Sequence, residues 1–139
     1  MAVLLVEDDI AVRLTLAEFL EGAGLQVLEA EDACEALAFL ADPGQCIDVL
    51  VTDLDLGAGD NGLLLAAKAR RSRPKLPIIY MTGSPERFAK HEFMPSSKVL
   101  FKPFPPDVLI PAVFASSYAE RPSRRAPMQS TGAPVLYNP

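Results

Sequence analysis

Four short apolar runs, each ending abruptly in a polar tip, do most to limit what this chain can fold into. Ala2–Val6 runs into Glu7-Asp8-Asp9. Ile47–Val51, interrupted only by Asp48, runs into Thr52-Asp53. Pro77–Met81 runs into Thr82-Gly83-Ser84, and Val99–Phe101 into Lys102-Pro103-Phe104. Continuous rather than alternating apolar runs mark strands buried on both faces. A weaker strand is expected over Leu25–Leu28. Segments of helical spacing lie between the runs: Val12, Leu16, Phe19 and Leu20; Ala33, Ala36, Leu37 and Leu40; about Leu63–Arg71; and Pro106–Tyr118. Gly22 and Gly24 stop the first of these, and Asp42-Pro43-Gly44 the second. Strands alternating with helices require crossover connections. The predicted fold class is therefore α/β, a five-stranded parallel doubly wound sheet with helices on both faces.

The chain is long enough for one such unit. Its 139 residues are half apolar and 22% charged, as in a globular protein. With 13 Lys+Arg against 18 Asp+Glu the net charge is −5. That balance argues against a nucleic-acid partner, which needs a basic face. No apolar run approaches the ~18 residues of a membrane span, and the start turns acidic too early for a signal peptide. Cys34 and Cys46 match no metal or redox spacing, and a reduced, cytoplasmic protein is expected. From residue 119 the composition changes. The last 21 residues hold four prolines, three arginines and one glutamate without apolar period. Residues 1–118 are read as the folded domain and 119–139 as a disordered tail.

In a doubly wound parallel sheet the ligand crevice lies at the carboxyl ends of the strands, at a topological switch point. The tips meeting there carry Glu7, Asp8 and Asp9, then Asp53 and Asp55, then Thr82, then Lys102. Several carboxylates cannot stay ionised together without help. A hard divalent cation supplies it, and Mg²⁺ takes one or two carboxylates plus water and phosphate oxygens. Lys102 and Thr82 suit the oxygens of a transferring phosphoryl group, and a well-placed carboxylate can be its acceptor. Asp53, at the tip of the central strand, is the best placed, leaving Glu7 and Asp8 to serve the metal.

The strings Leu4-Leu5-Val6-Glu7-Asp8-Asp9, Val49-Leu50-Val51-Thr52-Asp53, Ile79-Tyr80-Met81-Thr82-Gly83 and Phe101-Lys102-Pro103-Phe104 resemble those of the receiver (response regulator) family, in order and spacing, over about residues 1–118. The resemblance implies a flavodoxin-like sheet of strand order 2-1-3-4-5. It implies a single-domain response regulator in which Asp53 accepts phosphate from a histidine kinase or histidine phosphotransfer protein. Such a protein catalyses its own phosphorylation and dephosphorylation. Mg²⁺ would be ligated by Asp8, Asp53 and the backbone carbonyl of Asp55, with Glu7 acting through water. Thr82 would bond the phosphoryl oxygen. Lys102 would pair with Asp53 beforehand and with phosphate afterwards, and a cis peptide bond is common at Lys102-Pro103. Output would pass to a downstream partner, or the chain would serve as a phosphate sink or shuttle. It would be a monomer or a weak phosphorylation-dependent dimer, with no nucleic-acid or membrane partner.

The sequence departs from the family in three places. Val99 stands where an aromatic switch residue is frequent, leaving Tyr80 or Phe101 as replacements. The loop Asp53–Gly62 is one residue longer than usual, with Gly57 where proline is common. Pro85–Lys98 is short and contains Pro95, so the helix expected there is stunted or irregular. Simpler readings stand beside the functional ones. Asp9 is a helix cap. His91 is a surface residue, and Arg70–Lys75 a solvated helix end. Gly57–Gly62 matches G-x-G-x-x-G, but Asp53 and Asp55 occupy the place of an anionic pyrophosphate, so a turn accounts for it better. Pro111 is expected to kink or delay the last helix. Two other functions fit the same residues: a haloacid-dehalogenase-like phosphatase using Asp53 in Asp53-Leu54-Asp55-Leu56, and an interaction module that signals without phosphate.

Overall fold

The computed structural model describes residues 1–57, 59–119 and 135–137, with no side-chain description for 118, 119 and 135–137. Its elements are β1 (Ala2–Val6), α1 (Ile10–Gly22), β2 (Gln26–Ala30), α2 (Ala33–Ala41), β3 (Val49–Asp53), α3 (Gly62–Ser72), β4 (Ile78–Thr82), β5 (Ser97–Phe101), α4 (Leu109–Ala119) and β6 (Val135–Tyr137). Short 3-10 turns occupy Pro85–Phe88 and Pro106–Val108. The sheet runs β2-β1-β3-β4-β5-β6 and its pairs are parallel. The predicted five strands thus have the predicted order.

Strand alternation divides the core in two. Val3, Leu5, Val51, Ile79 and Met81 face one side, where Leu16, Leu20, Leu109 and Val113 cover them from α1 and α4. Leu4, Val6, Leu50, Ile78 and Tyr80 face the other, under Ala36 and Leu40 of α2 and Leu65 and Ala69 of α3. The helices begin on side-chain caps: Asp9, Asp32 and Asn61 accept from the N–H of Val12, Glu35 and Leu64. At the end of α1, Gly24 takes φ +89°. Its N–H donates to the Glu21 carbonyl at 2.9 Å and that of Leu25 to the Leu20 carbonyl at 3.1 Å, the paired closure that a left-handed residue permits.

Several expectations change. Phe19 is 43% exposed and leaves the apolar stripe of α1 to Leu16, Ala17 and Leu20. Arg70 and Arg73 are more than a solvated helix end. Arg70 Nε donates to the Leu76 carbonyl at 2.7 Å, and Arg73 Nη2 to the Asp42 and Gln45 carbonyls, each at 2.9 Å. Guanidinium forks therefore satisfy loop carbonyls between elements. No α-helix forms between β4 and β5, where only the 3-10 turn is present. Pro111 lies in the first turn of α4, where its missing N–H costs nothing, and the preceding 3-10 turn delays the helix as predicted. The disordered tail expected from 119 needs two corrections. Ala119 still belongs to α4, and Val135–Tyr137 pair with Lys98–Leu100 as a sixth strand. Val135-Leu136-Tyr137 is a short segment of strand-favouring residues, and β5 offers an open edge for it. The rest of the tail lies outside the described residues. No described helix is long and apolar enough to cross a membrane.

Candidate functional site

Parallel strands end together, so the tips of β1, β3, β4 and β5 meet at one rim. Register fixes how closely: Val6 pairs with Thr52, Asp53 with Met81, and Thr82 with Phe101. Glu7, Asp53 and Lys102 consequently converge from across the chain. Lys102 Nζ donates to Asp53 Oδ2 at 2.8 Å, to Glu7 Oε1 at 3.0 Å and to Glu7 Oε2 at 3.2 Å. The expected Lys102–Asp53 pair is present, and Glu7 joins it. The peptide bond after Lys102 is cis.

Glu7 and Asp53 are buried and Asp8 is exposed. One carboxylate oxygen from each of the three lies within 4.8 Å of the others. A cluster of hard oxygen donors, open to water on the Asp8 side, fits a divalent cation of the Mg²⁺ class. The loop after β3 is shaped to allow it. Gly57 takes φ +69°, and a Cβ there would approach Asp8 Oδ2 to 3.2 Å. Gly62 begins α3 directly against the Asp53 backbone, where a Cβ would collide with its carbonyl oxygen. The glycines thus bring the loop over the acidic cluster.

Asp53 Oδ1 accepts the N–H of Asp55 at 3.2 Å. Both its carboxylate oxygens are therefore held, one by a main-chain donor and one by an ammonium. The side chain of Asp55 turns to Arg87, whose Nη1 is 2.7 Å from its Oδ1. Thr82 is fully buried, and its Oγ1 accepts the N–H of Ser84 at 3.0 Å. Asp9 lies outside the cluster as the cap of α1. His91 is exposed, edge-on to Phe93 with ring centroids 4.8 Å apart.

Two cations escaped the sequence reading. Arg13 Nη1 donates to the Glu7 carbonyl at 2.9 Å and its Nε to Glu29 at 3.2 Å, bracing the first strand tip. Arg87 has no helical period around it and no motif, so only the folded loop reveals its partner. At the frequent aromatic-switch position, Val99 is buried beside Tyr80 in the register. The Tyr80 ring is itself buried, tilted against Phe93 with ring centroids 4.9 Å apart, and burial pushes its phenol up to about 12.

Burial, reinforced by the neighbouring Asp53 carboxylate, raises Glu7 from 4.5 to about 8, against the opposing pull of Lys102. Burial alone would lower Lys102, but Asp53 and Glu7 hold its proton and raise it. The unfolded chain gives up the Glu7 proton near 4.5, the folded chain near 8. The folded state therefore binds more protons between those values, and stability falls as pH rises through them. Urea unfolding with chelator present should show a midpoint that declines from about pH 5 to about pH 8 and levels off above. Glu7→Gln should flatten the decline. An equally steep decline in that variant would remove Glu7 as its source.

The response regulator receiver domain family model matches residues 3–114. The chain is 32% identical over 103 residues to the sensor kinase CckA of Brucella abortus, covering 74% of this chain and 11% of that protein. To the DNA-binding transcriptional regulator NtrC of Salmonella typhimurium it is 38% identical over 78 residues, 56% of this chain and 16% of that one. It therefore spans a small fraction of these curated relatives. Solved receivers match over nearly their whole length. A response regulator receiver protein from Sinorhizobium medicae WSM419 superposes with a TM-score of 0.79 at 30% identity, covering 87% of this chain and 97% of that one. The receiver domain of the hybrid histidine kinase CckA gives 0.71 at 30% identity, covering 84% and 99%.

Proposed function

Because the chain belongs to the response regulator receiver family, whose members serve phospho-accepting signalling, we propose that Asp53 is its phosphoryl acceptor and that the donor is a phosphohistidine on a histidine kinase or phosphotransfer protein. The observation that carries this reading is the hold on both Asp53 oxygens, by Lys102 Nζ at 2.8 Å and by the Asp55 N–H at 3.2 Å, beside Glu7 and Asp8.

A carboxylate oxygen of Asp53 attacks phosphorus and forms a P–O bond as the P–N bond to the donor imidazole breaks. The imidazole leaves with that electron pair and takes a proton from solvent. Such a transfer needs position and charge neutralisation more than covalent help. Lys102 moves its ammonium from carboxylate to phosphoryl oxygen. The bond from Ser84 uses a lone pair of Thr82 Oγ1 and leaves its hydroxyl proton free to donate to the phosphoryl group. Asp8 and Asp53 would hold Mg²⁺, with the Asp55 carbonyl and with Glu7 through water. The cation, when bound, supplies positive charge to the oxygens of acceptor and phosphoryl group. Hydrolysis of the aspartyl phosphate, by water attack on phosphorus and release of the Asp53 carboxylate, resets the site.

Membership of this family removes the dehalogenase-like alternative, whose nucleophile strand precedes its metal acids in the chain. The test is intact mass after incubation with Mg²⁺ and acetyl phosphate, which donates through a P–O bond and releases acetate. One added phosphoryl group is expected on the wild type and none on Asp53→Asn. Released inorganic phosphate without a mass gain would indicate rapid turnover. Neither mass gain nor phosphate would overturn the reading in favour of an interaction module that signals without phosphate.

A further inference from the structure

Four polar links tie the segment after β4 to the acceptor. The N–H of Asp55 donates to Asp53 Oδ1, and the carboxylate of Asp55 pairs with Arg87 at 2.7 Å. The N–H of Arg87 donates to the Ser84 carbonyl at 3.1 Å, and that of Ser84 to Thr82 Oγ1 at 3.0 Å. The path thus leaves the tip of β3, crosses through two side chains, and returns to the tip of β4.

The segment that carries Arg87 also walls a pocket. Phe88, Phe93, Val99 and Phe101 border a cavity of about 440 Å³ that reaches Thr82. Valine at position 99 leaves this space open. The segment over it is one short 3-10 turn and coil, with none of its residues from Pro85 to Phe88 buried. A segment with few buried contacts opens at low cost, so a single ion pair weighs heavily in its equilibrium. The guanidinium of Arg87, 5.5 Å from the centroid of the Phe88 ring, joins the electrostatic link to the packing over the cavity.

We propose that Arg87 is a positioning residue of the acceptor site: through Asp55 it holds residues 85–93 to Asp53, so that the charge state of Asp53 sets how firmly that segment is seated. A phosphoryl group adds about −1.5 to −2 of charge beside Asp55 and competes for the same guanidinium. The segment then re-seats without an aromatic ring at position 99. Coupling of this kind is reciprocal, so loss of Arg87 also uncouples the segment from the acceptor. The inference deepens the proposed function and rests on it only for the phosphorylated state.

Amide hydrogen exchange over residues 84–94 tests it, first without any phosphodonor. Arg87→Ala should exchange about two- to fivefold faster than the wild type, the range that a half-exposed ion pair can supply. Asp55→Asn should match it, and the double variant should add nothing further. Arg87→Lys should restore at least half of the protection. Salt at about 1 M should bring the wild type to the level of Arg87→Ala while leaving that variant unmoved. Exchange unchanged in Arg87→Ala, or additive effects in the double variant, would overturn the latch. With acetyl phosphate and Mg²⁺ present, exchange over the segment should change at least about twofold in the wild type and not in Arg87→Ala, with intact mass verifying a phosphoryl group on both. The same response in both proteins would equally overturn it. Failure of both to take a phosphoryl group would count against the acceptor reading, while the unphosphorylated comparison still decides the role of Arg87.

Discussion

Lys102→Ala should cost about 3–5 kcal/mol of folding stability at about pH 8.5 and clearly less at about pH 6. The ammonium is the shared partner of two buried carboxylates, 2.8 Å from Asp53 and 3.0 Å from Glu7. Removing it strips both buried carboxylates of their counter-charge, and near pH 8.5 Glu7 must regain a proton that the ammonium had helped to expel, so breaking the pair is most damaging there. The pH dependence follows from Glu7, whose proton is already held up to about 8 in the intact site. Below that value the glutamate stays neutral, and only Asp53 loses a counter-charge. Equilibrium urea unfolding at the two pH values measures the difference. Equal losses at both would mean that Glu7 does not change its charge between the two values. The same substitution should abolish phosphoryl gain from acetyl phosphate, because the developing charge loses its side-chain cation.

The second large effect is expected at Gly62. A Cβ at this position would collide with the Asp53 carbonyl oxygen and press on the Leu54 Cα at 2.9 Å. Both are backbone atoms at the end of a buried central strand, so neither can swing aside. Gly62→Ala should therefore destabilise by about 1–3 kcal/mol, the usual range for overpacking, and displace the acceptor from Lys102 as the backbone yields. Gly22→Ala is the control. Nothing lies within 4 Å of a Cβ there, and the residue is helical. That substitution should be neutral or stabilise by up to about 1 kcal/mol, since alanine is the better helix former. Urea unfolding separates the two signs, and intact mass shows whether Gly62→Ala has lost the acceptor. A stabilised Gly62→Ala would mean that α3 does not start as close to β3 as described.

Much of this site was legible because a parallel sheet converts one-dimensional order into position. Once the apolar runs are strands, the residue after each run lies at the carboxyl rim. Glu7, Asp53, Thr82 and Lys102 were therefore assigned to one place without any contact being known. Their chemical types narrowed the ligand, since crowded carboxylates beside a lysine and a hydroxyl suit a cation and a phosphoryl group. The cap at Asp9 is similarly local, accepting the N–H three residues on.

Other features depend on where unrelated segments come to rest, and no periodicity reports that. Glu7 shares Lys102 with Asp53 because β1 and β3 are adjacent and Lys102, following β5, reaches both from the same rim, a link between residues 7 and 102. The partners of Arg87 and Arg73 are set by loops whose paths follow from packing, and those of Arg13 by the seating of α1 on β1 and β2. Gly62 looked like one glycine of a nucleotide-type motif, yet its reason is a close approach to the Asp53 backbone. Val135–Tyr137 pair with β5 because an open strand edge has unmet N–H and C=O groups, a need that belongs to the sheet and not to the tail. By itself the sequence determined the first five strands, their order, the helices of strong period and the chemistry of the strand tips, since these follow from local spacing and residue type. Only the tertiary structure decided which tips share a partner, which arginine reaches which oxygen, and where valine leaves a cavity, because each is set by distances between segments far apart in the chain.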